Sequence, residues 1–226
     1  MNKILEKLFE KRNESYKQFI SAIIPNILSD TIIGVKIPEI RKISKEFTFE
    51  EKKEFIKTLP HKFYEEYFLH YLFIDSVSQN VDELLLHLDK LLLYIDNWCI
   101  CDTIDFKLFR NNKNILFDKC LEWIQSDKEY IVRFGIVILK KYFINRDYIE
   151  RVNSIISKIK REEYYINMAI AWYFCSALTK EYNKTIKYIE NKKLSTFVHN
   201  KTISKCTDSK CFSLEIKTYL RSLRIK

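Results

Sequence analysis

At 226 residues, with 47% hydrophobic and 31% charged residues, the chain can bury a sizeable core, which excludes a disordered polymer. Its two glycines and three prolines are too few turn formers for a β-sandwich or a doubly wound sheet, so an all-α class is expected. A net charge of +9 points to a polyanionic partner, nucleic acid before an acidic membrane surface, against the plainer reading of a lysine-rich solvated face.

Helical periodicity starts at once. Ile4, Leu5, Leu8 and Phe9 form one apolar stripe, and Phe19, Ile20, Ile23 and Ile24 a second. After the loop SDTIIGV comes KIPEIRKISKEF, with Pro38 suited to a first helical turn. Thr48-Phe-Glu-Glu51 and Ser126-Asp-Lys-Glu129 both have the spacing of a capping box. The pattern predicts further helices over 62–77, 80–94, 98–110, 112–125, 127–143, 147–160, 162–179, 183–191, 197–206 and 209–223. The short connections make neighbours antiparallel hairpins. EYIVRFGIVIL (129–139) overlays YYINMAIAWYF (164–174) at an offset of 35, with Tyr130 on Tyr165. Two helices per unit of that length are the mark of a HEAT-like solenoid with a concave groove. Residues 1–226 are read as a single such domain, a monomer.

Six scattered cysteines without a CxxC read as reduced thiols in or near the core, and no His/Cys spacing suits a metal. The N-terminal MNKILEKLFEKRNE carries charges through its apolar positions, unlike a signal peptide. No apolar run reaches the roughly 18 residues of a membrane span. The chain is therefore expected to be cytoplasmic, nucleoid-associated if bacterial. Within 191–226, nine basic residues face only Asp208 and Glu215.

DNWCICDTID (96–105) departs from this aliphatic background. On a helix, Trp98 and Asp102 share one face, a turn apart. Alone, Trp98 reads as a core anchor, and Asp102 as a cap for the following helix, with Asp105 three residues on. In the 35-residue overlay, Arg133 falls four residues before the position matching Trp172. Trp98, Asp102, Arg133 and Trp172 then lie on successive inner helices facing one groove. Arg133, inside an apolar helix, must pair with an acid such as Glu163 or Asp102, snorkel, or meet a phosphate. Trp123 has no charged company and reads as packing.

These segments, GVKIPEIRKISKE (34–46), NWCICD (97–102), SDKEYIVRFGIVILKKY (126–142) and AIAWYFCSALTK (169–180), in this order, resemble the AlkD-like DNA alkylation repair family of HEAT-like-repeat DNA glycosylases. The resemblance implies a right-handed α-α superhelix of about six antiparallel helix pairs whose basic concave groove binds duplex DNA. It implies Asp102 as the catalytic carboxylate, Trp98 and Trp172 as aromatic contacts to the lesion nucleotide, and Arg133 as a backbone contact. Cys99 stands where the family pattern often has an aspartate. An alternative register makes Asp105 catalytic but puts a cysteine in the first tryptophan's place, so Asp102 is preferred.

The expected chemistry is hydrolysis of the N-glycosidic bond of a cationic 3- or 7-alkylpurine. Such a base already carries positive charge and leaves without a general acid, so one carboxylate suffices to steady the sugar and orient water. No lysine is placed as a Schiff-base nucleophile, and no cofactor is needed. Lys140 and Lys141 extend the phosphate track, Arg41 and Lys42 serve the opposite rim, and Lys205 adds attraction. The rival expectation is a noncatalytic module that binds nucleic acid or a protein through the same groove.

Overall fold

The computed structural model describes residues 3–226, and all regular structure among them is helical. The chain divides into two compact units, one reaching Asn112 and the other running from Lys113 to Lys226. No described helix is long and apolar enough to cross a membrane.

The first unit holds α1 (Lys3–Glu10), α2 (Glu14–Ile23), a 3-10 turn (Ser29–Thr31), α3 (Ile37–Ile43), α4 (Phe49–Phe55), α5 (Tyr64–Val77), α6 (Val81–Leu92), α7 (Trp98–Cys101) and α8 (Lys107–Asn111). α5 is its axis and packs against α3, α4 and α6. Phe68, Leu69, Phe73 and Ile74 are fully buried on α5, each contributing about 1.5–3 kcal/mol by leaving water. Thr48 caps α4: its Oγ1 accepts from Glu51 N, and the Glu51 carboxylate accepts from Thr48 N, as the spacing predicts.

α5 also buries polar groups. The Glu65 carboxylate, with no exposed surface, accepts from three consecutive backbone N–H groups, those of Ile33 (3.0 Å), Gly34 (2.6 Å) and Val35 (3.1 Å). Gly34 makes this cradle possible. Its φ of +94° is the left-handed region, and a Cβ there would stand 2.6 Å from the Asn13 carbonyl oxygen. The cradle sits just before α3 and fixes where that helix begins. His61 and His70 lie side by side with ring nitrogens 2.7 Å apart. Burial holds both neutral, lowering His61 to about 4 and His70 to about 3.

The second unit is a stack of helix pairs: α9 (Lys113–Trp123), α10 (Glu129–Tyr142), α11 (Ile149–Ser157), α12 (Tyr164–Lys180), α13 (Tyr182–Glu190), α14 (Thr196–Asp208) and α15 (Leu214–Ser222). α10, α12 and α14 pack side by side in one row, with α11 against α13 in another. This is helical-repeat architecture, and the 35-residue offset is visible in it. Tyr130 and Tyr165 open their helices in equivalent places, with ring centroids 5.7 Å apart. Buried Asn153 ties the rows together, accepting from the Tyr173 hydroxyl (2.8 Å) and donating to Thr185 Oγ1 (3.1 Å). Trp123 is buried against Phe134, the packing role its sequence context suggests. Gly135 lets α9 approach, since a Cβ there would meet Ile124 at 2.8 Å.

Two local expectations are corrected. The helix expected over 98–110 is broken into α7 and α8, joined by a turn at 102–106. Ile100, Cys101, Ile104, Phe106 and Phe109 are all buried, so apolar spacing continues across a bend that the backbone makes. Ser126–Glu129 is not a capping box. The first residue before α10 is Lys128, whose side chain makes no cap. Ser126 Oγ accepts from Lys128 N, while the Glu129 carboxylate accepts from Tyr165 N at 3.1 Å. Glu129 thereby satisfies an orphan N–H at the start of the neighbouring helix α12.

Candidate functional site

In the first unit, Asn97 caps α7, its Oδ1 accepting from Ile100 N at 3.0 Å. The next residue, Trp98, is half-buried and donates its indole N–H to the carbonyl of Ile23 at the end of α2 (3.2 Å). Asn26 Nδ2 donates to the Asp96 carbonyl (2.7 Å). These two bonds pin the short α7 to the end of α2 and set the plane of the indole. Asp102 closes α7, its N–H donating to the Trp98 carbonyl at 2.9 Å. The first N–H of helix α8, that of Lys107, donates to Asp75 Oδ1 at 3.4 Å. Asp102 is half-buried, one turn from Trp98. Cys99, on the same short helix, hydrogen-bonds the Tyr64 hydroxyl.

Asp105 belongs to a different cluster. Its charge helps to push the Tyr71 hydroxyl above its usual range, after burial, while Arg41 pulls the other way. Arg41 Nη2 donates to that hydroxyl at 3.0 Å. Arg41 and Lys42 are both exposed on α3, and the Lys42 ammonium pairs with Glu39 at 2.7 Å. The role of Tyr71 in orienting Arg41 has no local signature in sequence, since the two lie 30 residues apart.

In the second unit, Trp172 is 37% exposed on α12, unusual for the largest side chain in an otherwise apolar helix. It lines an open cavity of about 550 Å³ with Cys175, Ser176, Lys205, Asp208 and Cys211 among its neighbours. The ammonium of Lys140, from α10, lies over the face of the Trp172 ring. Arg133 is buried, 6% exposed, with Nη1 donating to the Tyr165 carbonyl at 2.7 Å. Its charge still reaches the cavity. Lys205 is held below its usual range by partial burial, then by Lys201, with Arg133 adding to the effect. Glu163 is gripped by Arg161 through Nε and Nη2. Lys141 is exposed next to Tyr142.

A family model described as DNA alkylation repair enzyme matches residues 4–208. The chain belongs to the DNA alkylation repair enzyme family. No curated protein matches it. Membership gives this protein a role in alkylation repair, with DNA as the partner that role implies. Each unit holds a partly exposed tryptophan: Trp98 on α7, whose indole is held by the Ile23 carbonyl, and Trp172 on α12, whose face carries the Lys140 ammonium. An aromatic face binds a cation through its quadrupole, worth roughly 0.5–2 kcal/mol depending on desolvation. Among the described residues no group of His, Cys, Asp and Glu is arranged to hold a metal.

Proposed function

We propose that the protein is a monofunctional DNA glycosylase that hydrolyses the N-glycosidic bond of cationic 3- or 7-alkylpurines in duplex DNA. Asp102 is the carboxylate that steadies the sugar as it becomes oxocarbenium-like and orients the attacking water. Trp98 and Trp172 are the aromatic contacts to the lesion nucleotide. Arg133, Lys140, Lys141, Lys205, Arg41 and Lys42 attract the phosphate backbone.

The observation that carries this reading is the Lys140 ammonium on the exposed Trp172 face. That ring is already a cation-binding surface, and a positively charged base or sugar is the same kind of ligand. Lys140 then has two roles: occupying the ring in the free protein and pairing with a phosphate once displaced. The test is chromatographic detection of free base from duplex DNA treated with a methylating agent. Release of 3- or 7-methylpurine by the purified chain is expected. A protein that binds the same duplex and releases no base contradicts the glycosylase reading and leaves the noncatalytic binding module.

A further inference from the structure

Helices α11 and α13 form a row of their own in the second unit, apart from the α10, α12 and α14 row that carries Trp172. Their last turns and the residues just beyond enclose an open cavity of about 530 Å³. Lys158 and Lys160 reach it from the end of α11, and Lys187 and Lys193 from the end of α13, while no acid lines it. We infer that this cavity binds a small, multiply charged phosphoanion, a chain of contiguous phosphates such as a nucleoside triphosphate or inorganic tripolyphosphate carries.

The unpaired state of these lysines sets them apart. Elsewhere the ammonium groups of this chain meet carboxylates, as in Lys3 with Glu51, Lys42 with Glu39 and Lys119 with Glu122. Lys184, one turn before Lys187 on the same helix, lies 3.6 Å from Glu150. Among the described residues, none of the four cavity lysines makes such a pair. The plainer account is that lysines gather at helix C-termini to offset the exposed carbonyls. Magnitudes decide between the two. Two helix ends together contribute about one negative charge, against four ammonium groups, so a positive excess of about three remains. The lysine that does bond a backbone carbonyl near here, Lys184 to Arg146 at 3.2 Å, stands outside the cavity.

The wall between the lysines adds neutral donors. Among the described residues, neither the Ser154 hydroxyl nor the Asn191 side-chain amide makes a hydrogen bond, and both line the cavity. Lysine is a compact charge with three rotatable donors, which suits tetrahedral phosphate oxygens. The volume is that of a small-molecule pocket, whereas a duplex is met along an extended basic track. Tyr188 is the one ring on the wall, braced by Phe174 with centroids 5.6 Å apart, and offers a face to the base of a nucleotide. None of these residues is assigned to base excision, so the inference holds whether or not the chain is a glycosylase.

The experiment is calorimetric titration of the full chain with tripolyphosphate, with ATP and with orthophosphate at matched ionic strength. One-site binding of tripolyphosphate, tighter than orthophosphate, is expected. Lys158→Gln/Lys187→Gln, at two exposed positions, should weaken it by about tenfold or more, while Lys140→Gln/Lys205→Gln should leave it within about twofold. ATP that binds as tightly as tripolyphosphate, or more tightly, makes the ligand a nucleotide; weaker ATP binding makes it the inorganic chain. An absence of saturable binding, an affinity no better than that of orthophosphate, or a loss confined to the Lys140→Gln/Lys205→Gln protein overturns the inference. So does a Lys158→Gln/Lys187→Gln chain whose duplex affinity falls as far as its tripolyphosphate affinity, because the four lysines would then belong to the DNA track.

Discussion

Removing the Glu65 carboxylate tests the anchor that sets α3, and with it Arg41 and Lys42, in place. In Glu65→Ala, three buried N–H groups, those of Ile33, Gly34 and Val35, lose their only acceptor of this kind at once. A hydrogen bond to a charged group contributes about 1.5–3 kcal/mol, so three amount to roughly 5 kcal/mol or more. Relief from burying a carboxylate offsets part of this, leaving a net loss of about 3 kcal/mol. Glu65→Gln keeps the shape and one acceptor oxygen but turns an NH₂ toward an N–H, so about 2 kcal/mol is expected. In a chain of this size each kcal/mol lowers Tm by about 2–4 °C. Urea melts give the free energies, and amide hydrogen exchange gives the location: residues 33–35 should lose protection in Glu65→Ala. A variant within about 0.5 kcal/mol of the parent, or one whose 33–35 amides stay protected, refutes the reasoning.

His61 and His70 have folded values of about 4 and 3, below the ordinary 6.5. The folded chain therefore binds fewer protons, and their contribution is whole above about pH 6.5 and lost as pH falls toward those values. Glu65, raised by burial, acts in the opposite sense, its contribution falling as pH rises from 4.5. A His61→Gln/His70→Gln chain should thus lose the rise in urea stability between pH 4 and 6.5; an unchanged slope speaks against buried neutral histidines. Gly34→Ala combines a left-handed φ with a Cβ 2.6 Å from the Asn13 oxygen and should cost about 2 kcal/mol or more, read as a lower Tm. Lys205→Gln should weaken duplex binding and reduce the slope of log affinity against log salt by about 1; an unaltered slope removes Lys205 from the phosphate track.

Much of the fold is legible in the sequence because it is written in local periodicity. The helices over 81–92 and 129–142 show as 3.6-residue patterns, those over 64–77 and 164–180 as long, mostly apolar segments, and Thr48 shows as a cap. The repeat is visible through Tyr130 and Tyr165, whose rings meet at equivalent positions. What escaped depends on partners far along the chain. Glu65 and Glu66 look like solvated first-turn acids, yet both are buried, and the N–H groups that hold Glu65 lie about thirty residues earlier. Glu129 has the spacing of a capping residue but serves Tyr165, 36 residues on. The bend after Cys101 is hidden because buried apolar residues continue through it at helical spacing. At the candidate site, Trp98, Asp102 and Trp172 stand out as residue types. The cation on the Trp172 ring arises only where one helix packs on the next.

The catalytic assignment comes down to one oxygen-for-nitrogen exchange. Asp102→Asn preserves the size of a half-buried side chain and removes its negative charge, the part needed by a sugar gaining positive charge. Single-turnover release of alkylated purine from duplex DNA, measured with enzyme in excess, should fall by about 10²–10³-fold while duplex affinity stays within about twofold. Release at the parent rate by the Asp102→Asn protein would contradict the account.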